Sequence, residues 1–213
     1  MSNINNTNKL KDKGFFNVQG HIKIFDPVTK EVFINKSNAI HYENMAVALA
    51  SSLSNQGSGF IVQMDFGNGG TRVDNTGIIT YLTPNTVGNE SDLYSKTYSK
   101  VIDAKQSTNL DPSRNFMEVR HLSGTAYSDI MVNCLLDFGE PYGQSFFDNS
   151  NNSDNSFIFD ELGLRAASTD GSSGLTSTGK LLTHVIFHPV QKSLNRMIQV
   201  EYTVRIQSLS TGI

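Results

Sequence analysis

Cysteine occurs once in this chain, at Cys134, so no internal disulfide framework can hold the fold together. Charge is scarce as well. Only 17% of residues are Asp, Glu, Lys or Arg, and the formal net charge is −3. That balance speaks against a nucleic-acid reader, which needs a basic stripe to displace counterions from phosphates. The one basic cluster, Lys9, Lys11 and Lys13, falls at the N-terminus. A surface past which DNA slides without being held is compatible with such a charge. No apolar run approaches the roughly 20 residues that a bilayer-spanning helix requires. Met1 to Lys13 also carries no apolar stretch of signal-peptide type. The expectation is no membrane segment, synthesis in a cytoplasm and, for any extracellular role, travel in an assembled particle.

What the chain has instead is uncharged polarity. Asn, Ser, Thr and Gly are abundant while hydrophobic residues make up 38%, a balance typical of extracellular or particle-bound β proteins. Its 213 residues suffice for a substantial core. Residues 1–13 have almost nothing to bury and read as a disordered tail. The remainder, 14–213, reads as a single β-rich structural domain with loop insertions at about 67–98, 139–156 and 168–180.

Alternation of apolar and polar residues marks the strands. Val18, Gly20, Ile22 and Ile24 alternate with polar neighbours up to the Asp26-Pro27 turn, and Glu31 to Lys36 returns as the second arm of a hairpin. Phe60, Val62, Met64 and Phe66 form a strand that enters Gly67-Asn68-Gly69-Gly70, a turn expected to need positive φ at one or more positions. Ile78 to Tyr81 is a short strand, and the stretch from Leu93 to Ile102 is either a short helix or a strand edge. Further strands are expected at Phe116 to Leu122, Ile130 to Phe138, Phe157 to Arg165 and Leu181 to Phe187, with Pro189 to Asn195 connecting to the last. That last strand, Ile198 to Ile206, keeps strict period two throughout. One helix is expected, with Tyr42, Met45, Leu49 and Leu53 on its apolar face, Asn38 as N-cap and Gly57 at its end. The fold class is therefore mainly β: a β-sandwich-like core of about eight or nine strands with one covering α-helix and long loops.

No set of residues reads as catalytic, cofactor-binding or metal-binding, so the chain is expected not to be an enzyme. His184 and His188 lie four apart in a strand pattern, too far separated for one metal, and the remaining histidines, His21, His41 and His121, are scattered. Gly67 to Gly70 lacks the Lys-Ser or Lys-Thr and the helix of a phosphate loop. Cys134 sits mid-strand between Val132 and Leu136, where a thiol is a small core residue. Asp160 and Glu161 are adjacent on a strand and should point to opposite faces, which does not suit an acid and base pair. Asp148 and Asp154 flank an Asn/Ser-rich loop without EF-hand spacing.

Asn38-Ala39-Ile40-His41-Tyr42-Glu43-Asn44-Met45, Phe66-Gly67-Asn68-Gly69-Gly70 and Ile78-Ile79-Thr80-Tyr81-Leu82-Thr83-Pro84-Asn85 together resemble segments of virion structural proteins from tailed bacteriophages. Phe159-Asp160-Glu161-Leu162-Gly163-Leu164 is similar to the Glu-x-Gly-Leu strand of tail-collar and fibre-type phage proteins. The stretch from His184 to Arg196 resembles the same group. The resemblance spans about residues 18 to 207. A collar-fibre pattern continues into a long fibre whereas this chain stops at Ile213, which favours a compact neck or tail ring, an adaptor or a hub. It implies partners: copies of itself, roughly six or twelve to a ring, adjacent portal, neck or tail proteins, and DNA passing through without specific binding. It implies a virion location and no cofactor. The alternative is a tail-fibre or collar attachment module in which Tyr42, Tyr94 and Tyr98 stack on receptor sugars. Long loops would order on contact with neighbours.

Overall fold

A computed structural model describes residues 14–88, 90–142, 156–168 and 178–210. The tail over 1–13, Asp148 and Asp154, and most of the insertions at 139–156 and 168–180 lie outside these residues. These residues form twelve strands and one helix. In chain order they are β1 (Gly14–Phe25), β2 (Val32–Ile40), α1 (Tyr42–Leu53), β3 (Ile61–Gly67), β4 (Thr71–Val73), β5 (Ile79–Tyr81), β6 (Lys96–Val101), β7 (Phe116–His121), β8 (Tyr127–Leu136), β9 (Ser156–Ala167), β10 (Thr178–Leu181), β11 (Thr183–Ser193) and β12 (Ile198–Ser210). The protein is mainly β, as the alternation predicts.

One antiparallel sheet runs in the order β6, β3, β9, β11, β2, β1, β12, β8, β7, with β10 beside β9, and β4 and β5 form a separate hairpin. The sheet curls, so that its two halves share one core. The seam between halves is short: β11 meets β2 only at Thr183 opposite Ile40 and His184 opposite Ala39. The longest pairing joins β1 to β12 from Gly14 opposite Ser210 to Phe25 opposite Gln199. Ile22, Ile24, Val200, Tyr202 and Val204 line its inner side and are fully buried. Each such side chain contributes at most about 1.5–3 kcal/mol relative to exposure. On the outer side Lys23 meets Glu201 and Arg205 meets Asp129, so this half-sheet keeps one wet face.

Several local expectations need correction. Asn38 lies inside β2 and does not cap the helix; His41 does, its Nδ1 accepting from the Asn44 amide at 3.1 Å. The inward face of α1 is Asn44, Met45 and Ala48, with Leu49 half-buried, while Tyr42 and Leu53 are exposed at 68% and 88%. Pro189 is not in a connection but within β11, at the register shift between Ile186 and Val190. A bulge is where a strand tolerates a residue without an N–H. Phe138 lies beyond β8 and is exposed. The 93–102 stretch resolves as strand β6. Finally, the 67–98 insertion is not a loose loop: it contains β4, β5 and the start of β6, and it is fastened to the sheet.

Candidate functional site: a buried polar clamp

Strands β3, β9 and β11 carry charged groups where a sheet of this kind would show polar residues to water. Asp65, Glu161 and His184 are nevertheless fully buried, and Asp160 and Arg165 nearly so. The 67–95 segment covers Asp160, Glu161, His184 and Arg165, and Asp65 lies between Arg165 and strand β6. A buried ionised carboxylate costs several kcal/mol unless donors surround it; here backbone amides of the covering segment serve Glu161 and Asp160, while side chains serve Asp65.

Glu161 shows this best. Its Oε1 accepts from the amides of Gly69 at 3.1 Å and Ser95 at 2.8 Å, and its Oε2 accepts from the Tyr94 amide at 2.9 Å. His184 Nε2 stands 2.9 Å from the same Oε2. Because the Asn85 amide donates to His184 Nδ1 at 2.8 Å, the ring proton sits on Nε2 and points at Glu161. Burial pushes the Glu161 carboxyl up; the hydrogen bonds from His184, Ser95, Tyr94 and Gly69 outweigh it and hold the group below the usual glutamate value. Both carboxylate oxygens and both ring nitrogens are thereby engaged within the protein. Chemically the pair is a fastener.

Asp160 works on the adjoining residues. Its Oδ1 accepts from the Gly70 amide at 2.9 Å, and its Oδ2 from the Thr71 amide at 2.9 Å and the Thr71 hydroxyl. The adjacent carboxylates thus do not diverge as flat strand geometry predicts. Both grip the turn between β3 and β4, next to the register shift that β9 makes against β11. The glycines of that turn have a different reason from the one expected: none of Gly67, Gly69 and Gly70 has positive φ. They are there for close approach. A Cβ on Gly67 would sit 2.5 Å from Glu161 Oε1 and 2.6 Å from the Ser95 carbonyl. Gly163 has the same role in β9, where a Cβ would meet the Thr183 carbonyl at 2.3 Å.

Arg165 and Asp65 form the next link. Arg165 Nε donates to Asp65 Oδ2 at 2.5 Å, Nη1 donates to the Gly179 carbonyl at 2.9 Å, and Nη2 to Asp92. Gln63 and Ser99 donate to Asp65 Oδ1, each at 2.7 Å. His41 closes the far end, its Nε2 donating to the Gly88 carbonyl at 2.8 Å. Asn44 Nδ2 holds the Leu181 carbonyl at 2.9 Å. A polar cleft of about 430 Å³ lies between α1 and the 90–92 and 179–181 segments. Its charges are neutralised in pairs, Arg165 with Asp92 and Lys180 with Glu90.

A second buried knot ties β6 to the ends of β8 and β11. Lys100 is paired with Glu140 and donates to the Leu135 carbonyl at 2.5 Å. Glu140 accepts from the Asp137 amide at 2.8 Å, and Arg114 Nη2 stands 2.5 Å from Asp137. Lys192, fully buried, donates to the Ser193 carbonyl at 2.8 Å. Burial pulls its amine down to about 8, partly opposed by Glu140 and Asp137. Below that pH both states are protonated and the folded state bears a buried ammonium. Between about 8 and the ordinary 10.5 the unfolded chain binds the extra proton, so stability rises with pH through that window. Lys192→Met is expected to stabilise the fold by about 1–3 kcal/mol at neutral pH and to remove that slope. Urea unfolding on either side of the window measures both.

The residues singled out from sequence are spread by the structure. His184 is buried in the clamp whereas His188 is exposed, its Nδ1 3.3 Å from the Tyr81 hydroxyl. His41 caps the helix. His121 is exposed and donates from Nδ1 to the Tyr127 carbonyl at 2.9 Å. Cys134 is fully buried, and burial raises its thiol to about 12. Of the three tyrosines singled out, Tyr42 and Tyr94 are exposed, while Tyr98 is half-buried with its ring 6.1 Å from Phe66 and 6.2 Å from Phe157. No group of three or more His, Cys, Asp or Glu side chains spaced to hold a metal occurs among the described residues. Asp65, Arg165 and Lys192 went unnoticed in the sequence. For Asp65 and Arg165 the one signal is a charged residue at a strand position whose neighbours on both sides are apolar; Lys192, between Gln191 and Ser193, gives none. No described helix is long and apolar enough to cross a membrane. Comparison with family models, with curated proteins and with solved structures gives no match.

Proposed function

We propose that this chain is a structural subunit of a tailed-bacteriophage virion, forming a symmetric ring or adaptor in the neck or tail around the DNA channel. Its work is contact between chains and not turnover. One observation supports the reading above others. The separate segments that resemble phage virion proteins converge on the clamp. Glu161 and Asp160 grip Gly69, Gly70 and Thr71, His184 holds Asn85 and His41 holds Gly88. A pattern shared for the sake of a scaffold should fall on the residues that fix its loops to its sheet. The 67–95 segment is accordingly a pre-formed surface and not one that waits for a neighbour to order it, which lowers the entropy lost on assembly. Binding adjacent virion proteins through such a surface requires no reactive centre.

Reconstruction of the intact particle tests this. The expected result is density for the chain in closed, multi-copy rings on the axis of the neck or tail. A chain missing from purified particles overturns the proposal. Placement at the tip of a radial trimer would support the attachment-module alternative in its stead.

A further inference from the structure

The curled sheet has two ends, and they are protected differently. At one end β6 carries Lys96 and Lys100, and its register shifts against β3 between Phe66 and Gly67. Lysines and irregular pairing are the usual guards of an edge strand. At the other end β7 runs Phe116-Met117-Glu118-Val119-Arg120-His121, with no proline, and pairs with β8 residue for residue without a shift. Among the described residues β8 is its sole paired neighbour. Val119 is 72% exposed, and Leu122, just past the strand, is 65% exposed. Val119 also borders an apolar recess of about 250 Å³ that Leu49 of α1 and Phe60 help to line.

The charges on this edge choose an occupant. Glu118 and Arg120 lie on the same face of β7, opposite Met131 and Asp129 of β8, and pair with each other along the strand. Two copies of one strand can pair antiparallel about a two-fold axis normal to the sheet. Every side chain then stays on its own face, so the axis passes at a residue and not between two. An axis at Glu118 sets Glu118 against Glu118, and an axis at Arg120 sets Arg120 against Arg120. An axis at Val119 sets Glu118 against Arg120 twice, Met117 against His121 twice, and Val119 against itself. Opposite charges directly across a strand pair stabilise it and like charges destabilise it.

We infer that β7 is a self-complementary docking edge that pairs with β7 of a second copy of this chain, antiparallel and centred on Val119. The joined sheets are continuous through the axis, and the two Val119 side chains cover each other at the mouth of the recess. The contact is two-fold, unlike the head-to-tail contacts that close a ring, so it stands or falls independently of the virion role.

Sedimentation of the full chain across a concentration series at low salt, with charge variants, tests the pairing. Wild type is expected to show a monomer–dimer equilibrium. Arg120→Glu alone and Glu118→Arg alone each replace attraction by repulsion and raise the dimer dissociation constant by about tenfold to a hundredfold. The double exchange Glu118→Arg with Arg120→Glu restores dimers, and an equimolar mixture of the two single variants forms heterodimers. Both side chains are solvent-facing, so unchanged thermal unfolding of the variants verifies the fold. Wild type that stays monomeric throughout, or dimers indifferent to the single reversals, overturns the inference.

Discussion

A Glu161→Ala chain is expected to unfold with about 3–5 kcal/mol less free energy than the natural one, the range typical of breaking a buried charged network. The substitution leaves the amides of Gly69, Tyr94 and Ser95 and the His184 Nε2 proton without their acceptor. Each orphaned buried donor costs about 1–3 kcal/mol, less where water enters the space vacated. Chemical denaturation measures the loss, and a change under about 1 kcal/mol would show that the amides are readily rehydrated and that the clamp is weak. The same residue makes stability acid-sensitive. Its folded value lies below the ordinary 4.5. Its contribution is therefore fully present above 4.5 and is lost as pH falls through the folded value. Glu161→Gln, which has no carboxyl to protonate, should flatten that part of the acid limb while remaining destabilised at neutral pH.

Arg165→Ala is expected to be comparably damaging, about 3–5 kcal/mol, for a different reason. It strands the fully buried Asp65 carboxylate, whose other cation, Lys96, is 3.8 Å away and partly solvated. Burial works against the guanidinium charge, and Asp65 with Asp92 more than restores it, so removal of Arg165 or Asp65 leaves its buried partner with weaker compensation, Lys96 for Asp65 or Asp92 for Arg165. The double variant Asp65→Asn with Arg165→Met should recover much of the loss. The measurable sign is a double-mutant cycle with a coupling of about 1–3 kcal/mol. Additive effects would mean that the two groups are independently solvated.

The clamp and the sheet were not equally legible in the sequence. β1 and β12 could be read directly because period-two alternation is a local property, and Ile22, Ile24, Val200 and Val204 are buried where it puts them. The charged residues of β3 and β9 followed the same alternation, which assigns Asp65 and Arg165 to a wet face. What receives them is distant in sequence, Asp92 of the 67–95 segment for Arg165 and Lys96 and Ser99 of β6 for Asp65, and nothing local says that a polar connection will fold back over a strand. The glycines of the β3–β4 turn illustrate the same limit. Their composition pointed to backbone freedom, yet what requires them is close approach to distant residues: Glu161, ninety-odd positions later, for Gly67, Tyr94 and Ser95 for Gly69, and Ile186 and Asp160 for Gly70. In α1 the three-and-four spacing located the helix but misjudged its roll. Asn44 points inward to hold the Leu181 carbonyl, which carries Tyr42 and Leu53 out to solvent.

The central place of β12 has a consequence for how the protein comes into being. Residues 198–210 fill the slot between β1 and β8. Until residues 198–210 leave the ribosome, β1 and β8 each have an open side and no native partner for it. Joining β1 to β12 needs closure of a loop that holds all the strands between them, a slow step by contact-order reasoning. Maturation of this sheet therefore waits until residues 198–210 have been made, and a nascent chain stalled before them should be bound by chaperones or aggregate through the two vacant ladders.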